Sequence, residues 1–376
     1  MKKENRILYP FAFNPLFIKP KRDLPKEVAI VGAGTIGPDI GYYIKSALPE
    51  VKLYLIDVDE TALQNAKKRY EGYAKKGVEK KITSEEQAKK ILSNITYTTD
   101  YSQIKDCEII IESATENIPL KQKIFGQIEA IVKEEAIITS NSSSIPADIL
   151  YCNLKKPERA TVTHFFAPAW RSPAVEVINW EKIDGNVLEY LFWFFGETGK
   201  APLITDNVIA FMLDRIFDNW CNEAAYLLDI ASAAQICAVV EEYVFQGPFY
   251  ILNLGNGNPI IIETCGLLME EGVHYTPAPI FKSVSQWNVP RPGTKVEMSD
   301  DVKNSIKDRM LGLLFSQSFD IIDRSIGTKE DLNFGCQISL GFKKGPLELM
   351  KDLGETEVDR IMKRFEKERP GFPQPT

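Results

Sequence analysis

The sequence predicts a doubly wound α/β sheet followed by an all-α C-terminal region that contains a duplicated helical unit. Three observations predict it. Short apolar runs alternate with helical segments through the first half of the chain. A glycine turn of G-x-G-x-x-G spacing follows the first of those runs. From about Thr205 long helical patterns take over, and they repeat.

Val28 to Val31 is a short apolar run with β-branched bias, the pattern of a buried parallel strand. Gly32, Gly34 and Gly37 follow, with Ile36 inside the turn, and a helix is expected to begin there. Glycines at this spacing permit a tight turn, close backbone approach to a pyrophosphate and close helix–strand packing. The helix N-terminus then offers free N–H groups to phosphate. A second strand, Val51 to Ile56, ends at Asp57, 20 residues after Gly37. That is the place of the ribose-binding acid in a Rossmann-type βαβ dinucleotide site. A carboxylate there repels a 2′-phosphate, so the expected cofactor is NAD rather than NADP.

Glu60 to about Ser93 is expected to be helical, with a break near Gly77. Between Thr61 and Lys90 nine Lys/Arg stand against four Asp/Glu, a local net charge of +5 in an acidic chain. Charge alone leaves two readings, a solvated face or a basic helical hairpin that meets a phosphate-rich substrate. Strand-like runs resume at Glu108–Glu112, Ala136–Ser140, Thr161–Phe166 and Ala174–Ile178, with a helix from Leu120 to Glu134. Ligands of such sheets sit beyond the carboxyl ends of the strands, which puts Glu116, Asn141, Ser143 and His164 near one crevice.

The helical region repeats itself. Asp214-Arg215 is followed 32 residues later by Gly247-Pro248, and Asp308-Arg309 is followed 36 residues later by Gly345-Pro346. Each Asp-Arg pair is expected to open a helix, and a proline-rich linker, Pro277 to Gly293, separates the units. The expected organisation is an N-terminal strap over 1–25, an NAD-binding Rossmann domain over 26–204, a first helical domain over 205–296 and a second helical repeat over 297–376.

Composition bounds the rest. A chain of 376 residues, 44% hydrophobic and 26% charged, is long enough for two or three domains. Its net charge of −7 argues against general nucleic-acid binding, and no apolar run approaches the length of a membrane span. The N-terminal stretch has basic flanks around an apolar run. Pro10, Pro15 and Pro20 argue against a signal peptide and for a strap packed on the folded body. Six scattered cysteines without a C-x-x-C pair point to reduced thiols in a cytoplasmic protein and to no metal site.

Only two histidines are present. His274 lies in a polar stretch and is expected at the surface. His164 closes a strand of the dinucleotide fold. Hydride transfer from an alcohol needs a base for the hydroxyl proton, and imidazole suits neutral pH. Glu176, one strand further on, is the nearest acid that could turn back to fix its tautomer.

Taken in order, VAIVGAGTIG, IIIESATENIPLKQKIF, ITSNSSSIPADI, THFFAPAWRSPAVEVI and the two Gly-Pro helical units resemble L-3-hydroxyacyl-CoA dehydrogenase, in its form with two C-terminal helical repeats. The similarity runs from about Val28 to Phe365. The resemblance implies that His164 is the general base, that Glu176 orients it and that Ser143 hydrogen-bonds the reacting oxygen. It implies Glu116 and Lys121 beside the nicotinamide ribose, with Asn141 and Ile36 completing the cofactor set. It matches the basic segment, Lys68 included, to a helical hairpin used against CoA. It implies a monomer through internal duplication, or a homodimer.

The chain departs from the family pattern in its substrate half. Ala167 stands where an Asn usually follows His-Phe-Phe, and Asp214 stands where an Asn precedes the Arg of the helical domain. A charged Asp cannot donate to a carbonyl and repels a developing oxyanion. Trp170 and Arg171 follow His164 closely. Arg171 is either a surface residue paired with an acid such as Glu181 or a receiver for a polar acyl tail. The expected activity is NAD-dependent oxidation of a 3-hydroxyacyl-CoA, or the reverse. Two alternatives stay open at this point: a dehydrogenase of a non-CoA hydroxy acid, and a degenerate NAD-binding protein without catalysis.

Overall fold

The computed structural model describes residues 14–375, so the first thirteen residues of the expected strap lie outside the described residues. Two compact units divide the chain, 1–207 and 208–376.

The first unit is built on strands β1 (Glu27–Val31), β2 (Lys52–Ile56), β3 (Ile95–Thr98), β4 (Ile109–Glu112), β5 (Ile137–Ser140), β6 (Ala160–Phe165), β7 (Ala174–Asn179) and β8 (Ala201–Asp206). They form one sheet of order β3-β2-β1-β4-β5-β6-β7-β8. All neighbours are parallel except β6 and β7. The apolar runs of β1, β4 and β5 are buried along nearly their whole length, as parallel strands covered on both faces require. Six strands fall where apolar runs predict them; β3 and β8 were not anticipated. Both are the edges of the sheet. Edge strands are less buried, so Ile-Thr-Tyr-Thr needs no continuous apolar run, and Pro202 is tolerated in β8.

Helices α1 (Gly37–Ala47), α2 (Glu60–Glu79), α3 (Glu85–Ile91), α4 (Ile118–Ile131), α5 (Ala147–Leu150) and α6 (Gly185–Glu197) accompany the sheet. The hairpin α2–α3 does not break at Gly77. The first helix runs on to Glu79, and the turn falls at 80–84, where Lys81 takes φ +56° and Ser84 caps α3 reciprocally with Gln87. The described end of the strap lies on α6. Pro15 packs so closely on Gly196 that a Cβ there would lie 2.7 Å from Pro15 Cγ, and Tyr190 Oη donates to Asp23 O at 2.9 Å.

The second unit holds α7 (Leu213–Tyr226), α8 (Ala233–Val240), α9 (Pro248–Gly255) and α10 (Asn258–Leu268), then α11 (Asp300–Asp323), α12 (Lys329–Ser339), α13 (Pro346–Leu353) and α14 (Glu355–Glu368). The two sets correspond helix by helix. Ser232 caps α8 and Thr328 caps α12. Gly247 abuts Cys237, and Gly345 abuts Asn333 at the matching place. Arg215 pairs with Glu271, and Arg309 with Glu368. The repeats meet where like faces like: Val244 bridges Phe342 antiparallel, flanked by Phe245 N–H to Gly341 O at 2.9 Å and Lys343 N–H to Tyr243 O at 2.8 Å. An equivalent residue pairing with its own counterpart is the mark of an approximate two-fold axis. Asp214-Arg215 does open α7, but Asp308-Arg309 lies inside α11, because Ser299 caps that helix at Asp300.

His274 is not a surface residue. It is half-buried between the rings of Tyr275 and Phe372, and burial lowers its pKa. All six cysteines are free thiols, Cys152 alone exposed. Among the described residues no helix is long and apolar enough to cross a membrane.

Candidate active site

The glycine turn joins β1 to α1. Gly32 has φ +112°, and a Cβ on it would collide with the Ser113 carbonyl. A Cβ on Gly37 would collide with the Gly32 carbonyl, whereas one on Gly34 would meet nothing within 4 Å. Two glycines therefore serve packing, and the middle one faces open space. Gly32, Gly34 and Asp57 line a groove with Val58, Tyr101 and Leu120. Asp57 sits just past β2, its Oδ2 accepting the Ala33 N–H at 2.6 Å and its Oδ1 the Asp59 N–H at 2.9 Å. Ile36 is half-buried just before α1. A bare turn, a helix N-terminus and a carboxylate at the second strand end fit a dinucleotide without a 2′-phosphate.

A polar network closes the ends of β4 and β5. The Lys121 ammonium, 1% exposed, donates to both oxygens of Glu112 at 2.8 and 3.0 Å and lies 3.5 Å from Glu116. Ser140 Oγ also donates to Glu112 at 2.6 Å. Glu116 accepts from Ser142 Oγ at 3.1 Å and from the Ser143 N–H at 3.2 Å. Asn141 Oδ1 accepts the Phe165 N–H at 2.9 Å, which clips β6 to the strand-end turn. Glu112 was not singled out from sequence. Its signal was an acid closing an apolar strand, where only a buried cation such as Lys121 makes it tolerable.

His164 is the penultimate residue of β6. The antiparallel register sets it directly opposite Glu176 of β7. That register explains the twelve-residue spacing, and it brings His164 Nδ1 within 2.8 Å of Glu176 Oε2. Glu176 is fully buried, with Thr205 Oγ1 donating to its other oxygen at 3.4 Å. The Nδ1 contact with the carboxylate fixes the orientation and tautomer of the ring.

The segment after β6 is held from behind. Lys200 Nζ donates to Ala169 O at 2.6 Å and Ser172 O at 2.5 Å, and burial pushes its pKa down to about 8. Trp170 lies on Tyr73 of α2, ring centroids 5.2 Å apart, and edge-on to Tyr42 of α1. Ala167 and Arg171 are exposed. The Arg171–Glu181 pair considered from sequence does not form, and the Arg171 guanidinium has no ion pair among the described residues. Lys68 is exposed on α2. Asp214 belongs to the helical unit, nearly buried as the second residue of α7.

Residues 27–208 match the family described as "3-hydroxyacyl-CoA dehydrogenase, NAD binding domain". The chain is 34% identical over 253 residues to the fatty acid oxidation complex subunit alpha of Idiomarina loihiensis, covering 66% of this chain and 34% of that protein. It thus spans about a third of the length of that curated relative. Among solved structures, 3-hydroxybutyryl-CoA dehydrogenase of Escherichia coli K12 superposes with TM-score 0.81 at 17% identity, over 92% of this chain and 95% of that one. (S)-3-hydroxybutyryl-CoA dehydrogenase of Ralstonia eutropha gives TM-score 0.63 at 27% identity, over 69% and 93%. The expected fold class and the expected cofactor, NAD, both hold. Over residues 27–208 the chain is similar to the NAD-binding domain of the 3-hydroxyacyl-CoA dehydrogenase family.

Proposed function

We propose that the chain interconverts a 3-hydroxyacyl thioester, a CoA ester, and its 3-oxo counterpart with NAD. The observation that carries this reading is the His164 Nδ1–Glu176 contact at the carboxyl end of β6, in a sheet that holds a dinucleotide turn. NAD, when bound, supplies the hydride acceptor. His164 Nε2 takes the 3-hydroxyl proton, and Glu176 steadies the imidazolium that forms. In the reverse direction the imidazolium returns the proton to the ketone oxygen. Ser143 hydrogen-bonds that oxygen, and Glu116, Asn141 and Lys121 hold the nicotinamide ribose end. Gly32, Gly34, Ile36 and Gly37 receive the pyrophosphate, and Asp57 the adenosine ribose.

The basic hairpin with Lys68 receives the CoA phosphates. Ala167 and Arg171 border the acyl entrance, and the unpaired Arg171 suits an acyl tail bearing a second carboxylate. Arg171→Ala is then expected to cost such a substrate about 1–3 kcal/mol and to spare simple esters. The paired repeats support a monomer.

Following NADH absorbance with acetoacetyl-CoA, free acetoacetate and a 3-oxo dicarboxylic mono-CoA ester tests the reading. NADH oxidation is expected with the CoA esters, fastest with the dicarboxylic one, and not with acetoacetate. Equal rates with acetoacetate would contradict the thioester; no turnover of any substrate would favour a binding protein.

A further inference from the structure

Arg69 does not line the dinucleotide groove, yet it is tied to the turn that forms it. From α2 its Nη1 donates to Gly34 O at 3.0 Å and its Nη2 to Thr35 O at 2.9 Å. Nη2 also meets Asp39 Oδ1 at 2.5 Å. Asp39 lies in the first turn of α1, only 4% exposed, and accepts from Tyr73 Oη at 2.8 Å as well.

Two physical consequences follow. In a trans peptide the C=O and the following N–H point in opposite directions. Gripping the carbonyls of Gly34 and Thr35 from the hairpin therefore aims the N–H groups of Thr35 and Ile36 away from the hairpin. Among the described residues neither N–H has a hydrogen-bond partner. They are the free donors ahead of α1 that an anion can use. The second consequence is electrostatic. Asp39 puts a negative charge at the same helix N-terminus and competes there with an anionic ligand. The guanidinium cancels that charge at contact distance.

We propose that Arg69 is a positioning residue for the diphosphate of NAD: it aims the donors of the glycine turn and neutralises Asp39, without touching the cofactor. The sequence hid this role, because Arg69 is one of nine basic residues in the segment and lies thirty positions from Asp39.

The test is ligand binding alone, independent of any acyl substrate. Dissociation constants for NADH, ADP and adenosine are measured by calorimetry on the full chain for wild type, Arg69→Met, Asp39→Asn and the double variant. Arg69→Met is expected to weaken NADH and ADP by about 10–100-fold, the scale of lost hydrogen bonds to a charged group. Adenosine, which lacks the diphosphate, should bind as before. Adding Asp39→Asn should recover part of the loss, since the uncompensated charge is gone. Asp39→Asn by itself keeps Arg69 and should bind ADP as tightly as wild type or more tightly, which tests the electrostatic half even if Arg69→Met fails to fold. Unchanged NADH and ADP binding in Arg69→Met would overturn the proposal. So would an equal loss of all three ligands, the sign of a merely structural residue, or weaker ADP binding by Asp39→Asn.

Discussion

Lys121 and Arg215 are both buried cations, one in the sheet unit and one in the helical unit, and their surroundings differ in kind. Lys121 lies under the carboxyl ends of β4 and β5, between Glu112 and Glu116, where strand ends give way to a groove. Arg215 is spent within its own helices. It meets Asp320 through Nε at 3.2 Å, pairs with Glu271, donates to Ile209 O at 3.0 Å and lies over the Tyr275 ring. Its counterpart Arg309 repeats the arrangement with Glu368 and Glu223. A pair that occurs once in each repeat holds the repeats together; the pair that occurs once, at the carboxyl ends of central strands, is the one we assign to a site. Burial of charge is common to both. The opening beside it is what distinguishes function.

The comparison breaks most visibly at β6, the strand that carries His164. His164→Gln is expected to lower kcat by about 10²–10⁴-fold, the worth of a positioned acid–base group, with NADH affinity kept. Loss of folding and cofactor binding together would make His164 structural. Next come the two cations themselves. Lys121→Met strands a buried Glu112 and is expected to cost about 3–5 kcal/mol in denaturant unfolding, with weaker NADH binding. Arg215→Met should also destabilise the chain while leaving the NADH dissociation constant unchanged. If both variants lose NADH alike, the distinction drawn between the two regions fails.

A smaller effect is expected at Asp57. Wild type should use NADH well ahead of NADPH, and Asp57→Ala should narrow the kcat/KM ratio about tenfold by weakening NADH and removing repulsion of the 2′-phosphate. The smallest sharpens the helical side. Asp331, buried near the start of α12 without a charged partner among the described residues, has its pKa pushed up to about 8 by burial. Between about pH 4 and that value the folded chain keeps a proton that the unfolded chain has released, so stability falls as pH rises through the window. Asp331→Asn removes this dependence. Its Tm gain over wild type should be larger at pH 8 than at pH 5 by about 2–4 °C, the scale of a 1 kcal/mol change. An equal gain at both pH values would show that Asp331 does not carry the proton.

What was legible in the sequence follows the same division. The glycine turn, Asp57 and the central strands are written locally, as spacing and apolar runs, and the structure holds them where the pattern predicts. The edge strand β3 was invisible because half-burial asks for no apolar run, and β8 because Pro202 and the polar Thr205 and Asp206 interrupt its apolar residues. Glu112 and Lys121 meet across nine residues through a strand-to-helix turn, which no local periodicity announces. The break of the basic hairpin moved past Gly77 because the reciprocal Ser84–Gln87 cap, not the glycine, decides where α3 begins. The duplication was legible as Asp-Arg and Gly-Pro anchors. The length of α11 was not, because Ser299 starts it well ahead of its anchor.

The account rests centrally on His164 passing a proton in both directions, and the pH dependence of kcat/KM for the two directions tests this most directly. Oxidation of the 3-hydroxyl needs neutral His164, so its rate should rise with pH; reduction of the ketone needs the imidazolium, so its rate should fall across the same range. Both limbs should share one apparent pKa, and both should vanish in His164→Gln. Slopes of the same sign in the two directions, or limbs that persist in that variant, would contradict the assignment.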